Sequence, residues 1–287
     1  MAQPLLLLLL LSLLSAAPVA HAASPCDSSG FVSNLQLSLS SQSHTCQNDG
    51  NVPAEAFSTY RSGYVRGRLY LVNGATMTFE ESLVVAGGGY ILVGGTASPA
   101  ATIHAQSIDV QASAYIWGNQ RRCTDTSSVE NDPCGGYAQL LGPGAGGSRT
   151  SQGGTHGGRG YGNSDKPYGS FLTPTMAGSG GGTGNHNDCA AGKGGAALHI
   201  VALSKITVNG EIDMGGARGN GCSGGNRYNY QYSGGGGAGG SLWLETNEFT
   251  GQGIIKAYGG DGGGAGHSWT HQGMAGAGGR IAVAYEV

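Results

Sequence analysis

Charge is scarce in this sequence. Only 11% of its 287 residues are Asp, Glu, Lys or Arg, and 14 basic against 17 acidic residues leave a formal net charge of −3. A chain that grips nucleic acid through phosphates needs a basic excess, and none is present. Disordered chains pair high charge with few apolar residues, whereas 39% of this one is hydrophobic. Proline is sparse at 9 residues and glycine does not fall at every third position, which excludes a collagen triple helix. There is no CxxC pair, so neither a zinc ribbon nor a thioredoxin-type redox site is indicated. There is no N-x-[ST] sequon either.

What the chain does carry begins with an apolar leader. Leu5 to Leu14 is broken only by Ser12 and leads to the small-residue tripeptide Ala20-His21-Ala22. That pattern predicts a secretory signal peptide over 1–22 and a secreted, extracellular product. No later stretch approaches the roughly 18 apolar residues of a spanning helix, so no membrane span is expected. Cys26, Cys46, Cys123, Cys134, Cys189 and Cys222 follow, and an even number in an exported chain predicts disulfides. The sequential pairing, 26–46, 123–134 and 189–222, is one of several connectivities.

Glycine is the dominant excess, with 57 residues against a usual share of about 7%. Residues 1–134 hold 11 of them and residues 135–287 hold 46. Within the rich half, apolar stretches recur. Ile206 and Ile212 sit in one copy, and Phe249 and Ile255 stand 43 residues later in the next. Each copy follows a shorter strand opened by a glycine pair: Gly194-Gly195 before Leu198 and Ile200, Gly239-Gly240 before Leu242 and Leu244, Gly278-Gly279 before Ile281 and Val283. Fainter copies span 83–95 and 108–118. Alternation of period two reads as half-buried strand, and recurrence reads as stacking repeats. The insertions at 119–192, 217–238 and 261–277 then lie between repeats and are expected to project to one side. The competing arrangement is a β-sandwich with glycine-rich loops.

The run Gly153-Gly154-Thr155-His156-Gly157-Gly158, with Tyr168-Gly169-Ser170, Gly178 to Gly182 and Gly234 to Gly240 ahead of Ser241-Leu242-Trp243-Leu244, resembles the glycine-rich β-solenoid modules of large secreted and surface proteins. The resemblance covers about 135–287 and more weakly 83–118. It implies an all-β fold, a right-handed parallel β-helix of pectin-lyase-like shape, and no catalytic residues. The expected organisation is signal peptide 1–22, a disulfide-containing cap over 23–60 and a β-solenoid over 61–287.

No residue pattern argues for chemistry. Glu80 and Glu81 are the one adjacent carboxylate pair, and strand alternation would send them to opposite faces. Asp213 and Lys256 occupy equivalent repeat positions, within reach of a surface ion pair. His267 and His271 have a helical spacing in a glycine-rich context that disfavours helix. His186 and Asp188 adjoin Cys189, which is better used in a disulfide. No metal, cofactor or catalytic residue is expected. Tyr228, Tyr230 and Tyr232 alternate with polar residues, so an extended chain aligns their rings. With Trp269 they are the candidate ligand-stacking residues, although rings laid over bare glycine strands explain them as well. The expected function is a non-catalytic structural component of an extracellular matrix, wall or mineralised layer, with matrix polysaccharide, matrix proteins or its own C-terminal strand as partners. The alternative is a carbohydrate-binding or polysaccharide-degrading protein.

Overall fold

The computed structural model describes residues 36–38, 43–44, 58–60, 62–66, 68–72, 74–94, 100–119, 135–138, 140–185, 189–222, 231–264 and 270–286. Among them the regular elements are all strands: β1 (Gln36–Ser38), β2 (Ser43–His44), β3 (Ser58–Tyr60), β4 (Ser62–Val65), β5 (Arg68–Val72), β6 (Thr76–Phe79), β7 (Ser82–Val85), β8 (Tyr90–Gly94), β9 (Ala101–Val110), β10 (Tyr115–Trp117), β11 (Ala197–Val208), β12 (Glu211–Asp213), β13 (Gln231–Tyr232), β14 (Ser241–Thr250), β15 (Ile254–Lys256), β16 (Thr270–His271) and β17 (Arg280–Tyr285). The fold is all-β over the described residues, and no helix among them is long and apolar enough to cross a membrane.

The strands pair in parallel throughout. One sheet runs β1-β4-β7-β9-β11-β14-β17, with β3 and β6 joined beside that path. A second runs β15-β12-β10-β8-β5-β2, and β13 pairs with β16 alone. The chain alternates between the two large sheets, since β10, β12 and β15 follow β9, β11 and β14 in sequence. Parallel strands cannot be joined by a tight hairpin, so each crossing carries chain from one sheet to the other.

Side-chain columns hold these ladders together. The register aligns Ile103, Ile200 and Leu244 in one column, Ile108, Ile206 and Phe249 in another, and Ile91, Ile116, Ile212 and Ile255 in a third. Most of these are fully buried. Each such side chain contributes about 1.5–3 kcal/mol when taken from water. The 43-residue recurrence is therefore a register: Ile206 faces Phe249 and Ile212 faces Ile255. Between Ala202 and Lys205 the register shifts, because β11 carries an extra residue there. That bulge exposes Leu203 and is tied by Ser204 Oγ donating to Gln106 O at 2.6 Å.

The glycine-rich insertions form a second body of different physics. In segment 234–240, the N–H groups of Gly234, Gly237 and Gly240 donate to Asn220, Ala217 and Met214. Those of Gly235 and Ala238 donate to Gly182 and Ser179, and those of Gly236 and Gly239 to Met274 and Ala277. The carbonyls rotate likewise. Gly263 and Gly260 donate to Gly234 and Gly237, Gly192 and Gly195 to Gly235 and Ala238, and Gly154 to Gly236. Hydrogen-bond direction thus returns every third residue, the periodicity of a polyproline II backbone. Six neighbouring segments surround the central one, three taking its donors and three serving its acceptors.

This packing explains the runs of consecutive glycine. Among the described residues no glycine from 178 to 240 adopts a left-handed φ, so backbone conformation is not what demands them. Contact is. A Cβ at Gly237 would overlap the Lys193 carbonyl oxygen, and one at Gly195 would overlap that of Met214. Collagen crowds one face and needs glycine every third residue; here every face is crowded. Cys189 and Cys222 are disulfide-bonded, joining two segments of this bundle with Cα atoms 4.8 Å apart. The other four cysteines lie outside the described residues.

Candidate functional site

Because strand side chains alternate, each ladder presents an outward row, and three rows carry functional groups. The first lies on β9, β11 and β14. His199 stacks on Trp243 with ring centroids 3.9 Å apart and planes 7° from parallel, and His104 meets His199 edge-on at 6.4 Å. His199 Nε2 stands 2.6 Å from Glu245 Oε1. Burial lowers the His199 pKa, and the Glu245 carboxylate opposes that shift. Burial is the larger influence, so the contact is a neutral imidazole Nε2–H donating to a carboxylate rather than an ion pair.

The second row is polar and exposed. Lys205 Nζ pairs with Glu248 Oε1 at 2.7 Å, and the Thr207 and Thr250 hydroxyls lie 3.3 Å apart. The third row, on the smaller sheet, begins with aromatics: Tyr90 stacks on Tyr115 at 5.1 Å, and Trp117 tilts against Tyr115 at 4.6 Å. It continues into Glu211, which accepts from Lys256 Nζ at 3.2 Å, and into buried Asp213. Asp213 Oδ2 accepts from Asn119 Nδ2 at 2.6 Å and Tyr258 OH at 3.2 Å, while Oδ1 accepts from Gly215 N at 2.8 Å. Burial raises its pKa, and the bonds from Gly215 N and Tyr258 OH work against the rise. Sealed from solvent and fully bonded, Asp213 anchors the exit of β12 into the bundle.

A buried constellation lies inside the bundle. His156 is fully buried, and its Nδ1 donates to Gly239 O at 2.7 Å. A carbonyl only accepts, so Nδ1 carries the proton. The imidazole thereby supplies the donor that the three-residue rotation would otherwise place on Gly157 N, which is turned to Gly278 O. Desolvation by burial pulls the His156 pKa from 6.5 to about 4. Tyr168 packs on the imidazole at 4.7 Å, and its hydroxyl bonds Ala177 O and Ser179 Oγ. Burial pushes the phenol pKa far upward. Arg280 Nε and Nη2 donate to Tyr168 O. These contacts splice the bundle to β17.

The residues singled out from sequence fare unevenly. Asp213 and Lys256 are register partners as expected, but Lys256 turns to Glu211 because Asp213 is sealed beneath Asn119 and Tyr258. Glu80 and Glu81 do not divide between two faces: both lie in the bend between β6 and β7, both exposed. Tyr232 is 41% exposed and stacks on His271 at 4.9 Å, the pair formed by β13 and β16. Tyr228, Tyr230, Trp269, His267, His186 and Asp188 lie outside the described residues. No group of three or more His, Cys, Asp or Glu among the described residues could hold a metal ion.

Sequence reasoning missed His199, Trp243 and Glu245, which are 44 and 46 residues apart along the chain. Aligning the repeats on their apolar pairs, Leu198 and Ile200 with Leu242 and Leu244, would have placed His199 and Trp243 side by side. Comparison with known proteins finds no matching family, no similar curated protein and no similar solved structure.

Proposed function

We propose that the protein is a secreted, non-catalytic structural component of an extracellular matrix, wall or mineralised layer. In this reading the parallel ladders are successive turns of a right-handed β-helix, and the glycine insertions pack together along one side of it. The supporting observation is the bundle around 234–240, whose backbone groups are bonded to six neighbouring segments packed so closely that a Cβ at Gly234, Gly237 or Gly240 would strike a neighbouring carbonyl. Backbone hydrogen bonds in dry surroundings, tied by the Cys189–Cys222 disulfide, suit a load-bearing or spacing element. Buried Asp213 and His156 serve this reading too, because each completes backbone bonding at a place where the repeat is interrupted.

The test is fractionation of the native source into soluble secretion and detergent-insoluble matrix. The expected result is enrichment in the insoluble fraction, with release by reductant or polysaccharide digestion. Recovery solely in the soluble phase, or turnover of any polysaccharide by the purified chain, would overturn the reading.

A further inference from the structure

The outward row containing Trp243 ends in a step. Along that row the positions read Thr102, His199, Trp243 and then Ala282 on β17. The row beside it reads His104, Val201, Glu245 and then Ala284. Side chains of substantial size fill each strand up to β14 and drop to single methyls on the next. His199 covers one face of the Trp243 indole at 3.9 Å. Towards the other face lies a strand about 4.8 Å away that bears only Ala282 there. Among the described residues β17 pairs with β14 alone, so the step is open on its far side.

Glu245 stands two residues beyond Trp243 on the same side of β14, about 7 Å along the strand. Its Oε1 is held by His199, and Oε2 has no partner among the described residues. The Glu245 side chain is 39% exposed, so it meets solvent at the rim of the step. The groups are thus a vertical aromatic face, a methyl floor and a fixed hydrogen-bond acceptor.

We infer that this step binds one pyranose ring of a neutral polysaccharide. The apolar C–H face of the sugar stacks on the free face of the indole, and a ring hydroxyl donates to Glu245 Oε2. The acceptor chemistry selects the ligand. A carboxylate accepts and repels anions, so sulfated or uronic sugars are disfavoured, while a ring of hydroxyl donors over an apolar face satisfies both walls. His199 acts as a positioning residue, because it backs the indole and fixes the carboxylate. The inference stands apart from the matrix reading, since a soluble secreted protein could carry the same step.

The test uses the full secreted chain, disulfides intact, in depletion assays on insoluble cellulose, chitin and β-1,3-glucan, with polygalacturonate as the anionic comparison. Tryptophan fluorescence is followed during titration with soluble oligosaccharides of the polymer that binds. Retention on at least one neutral polymer, with a fluorescence change on titration, is expected. Ala282→Phe fills the step and should weaken binding at least about tenfold, the loss of a stacked ring. Glu245→Gln keeps the side chain's size and should weaken it several-fold, with circular dichroism confirming the fold of each variant. Thr207→Ala, on the other outward row, should bind as the parent does. Absence of retention on every neutral polymer, retention on polygalacturonate alone, or affinity unchanged in both Ala282→Phe and Glu245→Gln would overturn the inference.

Discussion

The strand ladders and the glycine bundle are two solutions to one packing problem within a single chain. In the ladders, backbone bonds run to two neighbours and apolar side chains fill the space between sheets, as Ile200 and Leu244 do. In the bundle, backbone bonds run in six directions and nothing fills the space, because the backbones themselves touch. The ladder can absorb a changed side chain by repacking its neighbours. The bundle cannot, since the atom a new Cβ strikes is a carbonyl oxygen fixed by its own hydrogen bond.

The sharpest way to break this contrast is Gly237→Ala. Its Cβ would meet Lys193 O, and no rotamer relieves the overlap. The expected loss exceeds about 4 kcal/mol, above the ordinary overpacking range of about 1–3 kcal/mol, so that little folded protein is recovered. A yield and melting midpoint equal to the parent's would refute the close packing.

Next in size is the paired change Cys189→Ala with Cys222→Ala, which opens a link between residues 33 apart. Loop-closure entropy predicts about 3–4 kcal/mol. The local signature matters as much: amide exchange should quicken in 190–193 and 217–220 before it does in β11 or β14.

Acid should act on the bundle through His156. Its folded pKa is depressed to about 4 from 6.5, so the unfolded chain takes up a proton at a higher pH than the folded one. The stability is complete above pH 6.5, falls as pH drops from there to about 4, and is then flat, a total near 3 kcal/mol. Asp213 titrates the opposite way, since its raised folded pKa adds stability on acidification. Comparison with His156→Gln, which retains a donor for Gly239 O, isolates the histidine: denaturant midpoints for that variant should lose the slope between pH 6.5 and 4. The smallest effect belongs to the ladder, where Ile200→Val should cost about 1 kcal/mol and leave the cooperativity of unfolding unchanged.

Much of the ladder was legible in the sequence, because side chains do its work and side chains are what a sequence records. The match of Ile206 with Phe249 and of Leu198 with Leu242 is periodic and survives as register. The bundle was legible only as composition. Its three-residue period is written in hydrogen bonds, and because every face is crowded, consecutive glycines hide the period. Reading 217–238 as a projecting insertion missed that its two arms, 214–220 and 234–240, lie antiparallel and bonded. The step beside Trp243 was hidden for another reason. It depends on the contrast between Trp243 and Ala282, residues that become neighbours only once the strands are in register.

The bundle also sets how the protein responds to temperature. Unfolding exposes peptide groups from this half and little hydrocarbon, since most of its buried positions are glycine. Exposed apolar surface raises the heat capacity and exposed polar surface lowers it. The heat-capacity increment per residue should therefore fall below the usual figure of about 12–15 cal/mol/K. A small increment flattens the stability curve, so a protein built this way keeps its fold over a broad span of temperature and resists cold as well as heat.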